Sequence, residues 1–183
     1  MTINTKTLAA IDIGTNAIRL FISNVEEYPT ETLFKKIAFL RVPIRLGEDV
    51  FTTGEIGQQK RKRLCETMQG FSYIMSAFNV ESYKAYATCA MREARNGKSV
   101  AEQIQKECDL NIEIISGTKE AETIFAGGMN EVVDDDKTYL YVDVGGGSTE
   151  VIVYSKSVKV EACSFPLGTV RMLNDAVDKE EMK

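Results

Sequence analysis

Apolar residues in the first forty positions fall into short runs separated by turn residues. Leu8 to Ile13 is such a run and ends in Asp12-Ile13-Gly14, which reads as a buried strand entering a turn. Ile18 to Val25 reads as a second strand, with Leu20 and Ile22 on one face, and Leu33 to Val42 as a third. Short turns between them predict an antiparallel meander. The period then changes. Leu64, Met68, Phe71, Ile74 and Phe78 recur at three- and four-residue steps and predict one buried stripe on a helix within Gly54 to Phe78. The run Lys60-Arg61-Lys62-Arg63 lies on that helix. Consecutive helical residues point in different directions, so a solvated face is the simpler reading and a polyphosphate-binding surface the other.

Further along, Ser82 to Thr88 predicts a strand, Met91 to Arg95 a short turn or helix, and Ser99 to Cys108 a helix. Ile112 to Ile115 predicts another strand, and Ser116-Gly117 opens a helix over Thr118 to Glu131. Asp134-Asp135-Asp136 is a charged break, which divides the chain into domains 1–133 and 134–183. Three consecutive carboxylates in a turn do not converge on a metal, so solvation is the better reading of that run. The opening pattern then returns: strand Tyr139 to Asp143, turn Gly145 to Ser148, strands Thr149 to Tyr154 and Val158 to Phe165, and a helix start near Arg171. Two related domains facing one another are expected. The second holds too few residues to bury a full core, which predicts a fragment or completion by another chain.

Composition narrows the class. The chain is 44% hydrophobic and 27% charged, in the range of folded domains, with a net charge of -5 that argues against binding duplex nucleic acid. Backbone N–H groups can still attract an anion to an acidic protein. No pair of the four cysteines forms C-x-x-C, so zinc and dithiol chemistry lack support; scattered thiols fit a reducing cytosol. With no histidine, proton transfer falls to carboxylates, Lys, Tyr or Cys. Neither a signal peptide nor a membrane-spanning stretch is expected.

The two glycine-bearing turns are the strongest chemical signal. Asp12-Ile13-Gly14-Thr15-Asn16 and Asp143-Val144-Gly145-Gly146-Gly147-Ser148-Thr149 each place glycines and hydroxyl or amide side chains after a strand-terminal aspartate. Glycines permit close backbone approach and positive φ, and successive N–H groups then form an anion nest. Neither turn is a P-loop or a dinucleotide fingerprint, because each leads into a strand. Asp12 and Asp143 either cap their turns or hold Mg²⁺ against phosphate oxygens, with Glu150 joining the shell or simply facing outward. Glu120, in the first turn of its helix, is read as a dipole partner or as a general base. Arg92, just past a strand end, is read as a phosphate clamp or a salt-bridge partner. Arg19, on the strand after the first turn, needs a phosphate or a carboxylate.

These segments together resemble the exopolyphosphatase and guanosine pentaphosphate phosphohydrolase family, of the actin-like ATPase superfamily. The resemblance runs through Ala10 to Leu20, Arg45-Leu46-Gly47, Ala87 to Asn96, Ile114 to Glu122, Val142 to Glu150 and Ser164 to Gly168, in the family's order. It implies an α/β fold: a ribonuclease-H-like (actin-like ATPase) domain with a mixed five-stranded sheet and flanking helices, plus the start of a second similar domain. It implies a cleft in which Glu120 activates water and Asp143 and Glu150, with Asp12, serve Mg²⁺. Gly14, Thr15, Asn16, Arg19, Arg92, Gly145, Gly146, Gly147, Ser148 and Thr149 hold phosphate. The implied reaction releases orthophosphate from polyphosphate or guanosine pentaphosphate. A phosphate- or nucleotide-sensing module and a kinase or ATPase of the same superfamily are the alternatives. A homodimer and a cytoplasmic location are further expectations. Ala17 and Thr15 stand where the family commonly has serines, and Lys119 where an acidic residue often precedes the catalytic glutamate. With the second domain short, this chain alone is expected to turn over slowly or not at all.

Overall fold

The computed structural model, described for residues 4–126, 136–155 and 158–177, contains two sheets. The first begins with the expected meander: β1 (Asn4–Ile13), β2 (Ile18–Glu27) and β3 (Thr32–Val42) pair antiparallel. Ile11, Ile13, Ile18, Leu20 and Ile22 all point to one face and are at most 2% exposed, as strand alternation requires. β4 (Ser82–Ala87) and β5 (Glu113–Ile114) extend the sheet in parallel, giving a mixed order β3-β2-β1-β4-β5.

Helices cover the apolar face of this sheet. α2 (Gln58–Ala77) presents Leu64, Met68 and Phe71, and α4 (Gly97–Cys108) presents Val100 and Ile104 to the same core. Each such buried side chain is worth roughly 1.5–3 kcal/mol relative to exposure. Phe78, expected in the stripe, lies past the last turn of α2 and is exposed, while Ile74 is half-buried. The helix expected within Gly54 to Phe78 is α2, and a helix that was not expected lies before it. This is α1 (Leu46–Thr53), which ends at Gly54, whose φ of 77° terminates the helix. The basic run of α2 is split. Lys62 and Arg63 are exposed, but Lys60 is largely buried and bonds Glu48, Asp49 and the Arg45 carbonyl, fastening α2 to α1. α3 (Cys89–Glu93) follows β4 directly, and α5 (Gly117–Ala126) is the described part of the helix expected over Thr118 to Glu131. The remainder of that helix, the boundary at 133/134 and Asp134 and Asp135 lie outside the described residues.

The second sheet repeats the first three strands: β6 (Thr138–Val144), β7 (Thr149–Ser155) and β8 (Val158–Phe165), followed by α6 (Thr169–Leu173). α5 packs on one face, against Ile152 and Tyr154. The opposite face leaves Leu140, Val142 and Val144 exposed. Their counterparts counted from the strand-terminal aspartate, Ala9, Ile11 and Ile13, are buried in the first sheet's core. Among the described residues no helix is long and apolar enough to cross a membrane.

Candidate active site

The two turns are built alike. Gly14 N–H donates to the Ala17 carbonyl at 3.2 Å, and Gly145 N–H donates to the Ser148 carbonyl at 2.8 Å. Each turn is then tethered from behind by the helix start that follows its meander. The Thr15 and Asn16 carbonyls accept from Gly47 and Arg45 N–H, at 3.0 and 2.9 Å. The Gly145 carbonyl accepts from Thr169 N–H, and the Gly146 carbonyl from Val170 and Arg171 N–H, at 3.0, 2.8 and 3.1 Å. The Gly147 carbonyl accepts from Arg171 Nε at 2.8 Å. In a planar trans peptide the N–H of the next residue points opposite to the carbonyl. The N–H groups of Asn16, Ala17, Gly146, Gly147 and Ser148 are therefore turned away from α1 and α6. All five residues line one cleft of about 650 Å³, and these N–H groups have no acceptor among the described residues. Both halves thus contribute N–H groups in an arrangement suited to an anion.

The turns touch. A Cβ built on Gly147 would lie 2.4 Å from Cys89 Sγ and 2.8 Å from Thr15 Oγ1, and one on Gly168 would lie 2.5 Å from the Gly146 backbone. Glycine is needed here for close approach. The expectation of positive φ in these turns is not met: among the described residues Gly54 is the glycine with positive φ.

Four carboxylates, Asp12, Glu120, Asp143 and Glu150, line the cleft. Asp12 ends β1 and pairs with Arg19, its direct cross-strand partner, so the partner that Arg19 needed is a carboxylate. Burial raises the Asp12 pKa above its usual value; Arg19 opposes the rise and the nearby charge of Asp143 adds to it. Glu150 is buried, and its Oε1 accepts from Ser148 Oγ at 2.7 Å and Ser164 Oγ at 2.8 Å. Glu120 is pushed up to about 7, by burial first and then by the charge of Glu150, against the lowering effect of Arg92. Arg92 Nη1 donates to Glu120 Oε2 at 3.4 Å and to the Ile115 carbonyl at 2.9 Å. Among the described residues no three Asp, Glu, Cys or His side chains gather tightly enough to hold a metal by themselves.

The structure thus brings Gly14, Thr15, Asn16, Arg19, Gly145, Gly146, Gly147 and Ser148 together around the cleft. Two expected phosphate ligands do other work. Thr149 Oγ1 donates to the Leu167 carbonyl at 2.6 Å, which holds the β8–α6 connection, and Thr149 does not line the cleft. Arg92 also lies outside the lining and bonds Glu120.

The model of the Ppx/GppA phosphatase family matches residues 13–183. The chain belongs to the Ppx/GppA phosphatase family. Within curated relatives, it is 32% identical to a bifunctional 3-dehydroquinate synthase/phosphatase of Fusobacterium nucleatum, over 90% of this chain and 25% of that protein. It is 28% identical to a putative exopolyphosphatase of Haemophilus influenzae, over 91% of this chain and 50% of that protein. An exopolyphosphatase structure from Cytophaga hutchinsonii superposes with a TM-score of 0.83 at 29% identity, over 93% of this chain and 53% of that one. The chain therefore spans between 25% and 53% of the length of these relatives and neighbours.

The sequence reading passed over several cleft residues. Lys84, Tyr86, Phe21, Phe39 and Cys89 all line the wall. Alternation on β4 carried the signal for two of them, since Lys84 and Tyr86 interleave with the buried Ala85 and Ala87.

Proposed function

We propose that this chain carries the hydrolytic cleft of an enzyme that releases orthophosphate from the end of inorganic polyphosphate. One observation carries the reading: Glu120, held near neutrality in its pKa, lines the same cleft as two turns that present free backbone N–H groups. The exopolyphosphatase names of the Haemophilus and Cytophaga relatives support the substrate class.

The terminal phosphoryl group sits against the two nests, where fixed N–H dipoles stabilise its developing charge. Arg19 and Lys84 add positive charge to the same wall. Arg92 holds Glu120 Oε2, which leaves Oε1 to take a proton from water as the water oxygen bonds phosphorus and the bridging P–O bond breaks. Asp12 and Asp143, which both line the cleft, would hold Mg²⁺ with one or two carboxylates, water and phosphate oxygens in place of a full protein cage. When bound there it neutralises phosphate charge. Glu150, with Oε1 committed to two hydroxyls, chiefly tunes Glu120.

Guanosine pentaphosphate is a second substrate reading, favoured by the cleft floor. Phe21 and Phe39 are direct cross-strand partners, and both line the cleft with Lys84. Four residue steps, leading into β2, separate Ala17 from Phe21, about 13 Å, a span suited to a phosphate chain and ribose. A base can stack on the exposed Phe39 ring.

The test is single-turnover phosphate release and tripolyphosphate binding by the 183-residue chain. Glu120→Gln should lower release by at least about 100-fold with binding retained. Unchanged release in Glu120→Gln would sink the assignment of the base. Phe39→Ala should weaken binding of guanosine pentaphosphate and leave tripolyphosphate binding unchanged.

A further inference from the structure

Arg171 stands on α6 in the second half, yet its guanidinium is buried against the first half. Nε donates to the Gly147 carbonyl at 2.8 Å, and Nη2 donates to Glu93 Oε1 at 2.5 Å and contacts Cys89 Sγ at 3.4 Å. The guanidinium lies over the Phe51 ring, 4.2 Å from its centroid. Burial and the neighbouring Glu93 push the Cys89 thiol up to about 11, so Glu93 is the ion-pair partner within this nest of contacts. Glu93 follows Arg92 on the five-residue helix α3. Adjacent residues of one short helix therefore reach two different parts of the cleft: Arg92 grips Glu120, and Glu93 reaches the glycine turn through Arg171.

We propose that Arg171 is a positioning residue, which, anchored by Glu93, orients the Gly147–Ser148 peptide so that the Ser148 N–H faces the cleft in fixed relation to Glu120. Its use for phosphate rests on the phosphatase reading of the cleft; the orientation of the peptide does not. The geometry demands a planar fork. Arginine bonds the carbonyl through Nε and the carboxylate through Nη2 at once, whereas a lysine ammonium on a flexible stem is a poor substitute for both. Because the Gly147 carbonyl and the Ser148 N–H share one peptide plane, releasing the carbonyl frees the N–H to rotate.

Amide NMR spectra of the ¹⁵N-labelled 183-residue chain test this, for wild type, Arg171→Lys, Glu93→Gln and the double variant, with and without tripolyphosphate and Mg²⁺. In the ligand-free protein, the Gly147 and Ser148 amide resonances should move in every variant while those of Leu20 and Ile22 in β2 stay in place. The tripolyphosphate dissociation constant should rise roughly tenfold in each single variant, the scale of one lost hydrogen bond. The double variant should be little worse than either single one, because both act through one link. Glu93→Gln preserves side-chain shape and keeps the test readable if Arg171→Lys fails to fold. Gly147 and Ser148 resonances at their wild-type positions in the ligand-free variants would overturn the proposal. If wild type fails to bind tripolyphosphate while these resonances still move in the variants, the phosphate reading of the cleft falls and the positioning by Arg171 stands.

Discussion

Glu120→Gln separates the electrostatics of the cleft from its catalysis, because its effect on stability is readable without turnover. The carboxyl rises from an ordinary 4.5 to about 7 on folding, with burial the first cause and Glu150 the second. The folded protein therefore holds this proton more tightly than the unfolded chain. Below about pH 4.5 the group is protonated in both states, and it behaves much like glutamine. As pH rises from 4.5 through 7 the unfolded chain releases the proton first, so the native state loses stability across that window, and the loss is complete above 7. That interval has a ceiling of about 3 kcal/mol. The side chain is partly open to the cleft, and solvent screening brings the expectation to about 1–2 kcal/mol. In a chain of this size that is a Tm difference of roughly 2–8 °C. Calorimetric melts of wild type and Glu120→Gln at pH 5, 6, 7 and 8.5 supply the comparison. The Tm of the variant relative to wild type should climb between pH 5 and 8.5 and level off above pH 7. A difference that stays flat with pH, or that turns in favour of wild type at high pH, would refute burial as the cause of the raised pKa.

Glycines in and behind the second turn make a graded series. Gly168→Ala should cost more stability than Gly147→Ala, with both at about 1–3 kcal/mol or above by urea titration, because its Cβ meets backbone where that of Gly147 meets side chains. Gly70→Ala in α2, where a Cβ meets nothing within 4 Å, should instead stabilise by about 0.5–1 kcal/mol. In the pH profile of single-turnover phosphate release, Glu150→Gln should move the acid limb to lower pH, because it removes a charge that raises Glu120, and Arg92→Ala should move it to higher pH. A limb that moves in the same direction in both variants would contradict the assigned neighbours.

Much of the fold was legible because its signals are local. The meander of β1 to β3, the stripe of α2 through Leu64, Met68 and Phe71, and the return of the strand-aspartate-turn unit at Asp143 follow from alternation, helical period and turn residues. Glu120 and the two turns, which the family's motifs marked, meet in one cleft. What stayed hidden depends on where chain segments arrive in space. Lys60 reads as one more solvated cation until α1 folds back to supply Glu48 and Asp49. Thr149 reads as a phosphate donor until the Leu167 carbonyl takes its hydroxyl. Arg171 sits in a short apolar segment with no local partner, and its partners Gly147, Cys89, Glu93 and Phe51 are between 24 and 120 positions away in the sequence. Strand alternation and helical period are written in neighbouring residues. The direction of a peptide N–H, the pairing of a buried charge and the pKa of Glu120 are set by groups that only the tertiary fold brings within a few ångströms.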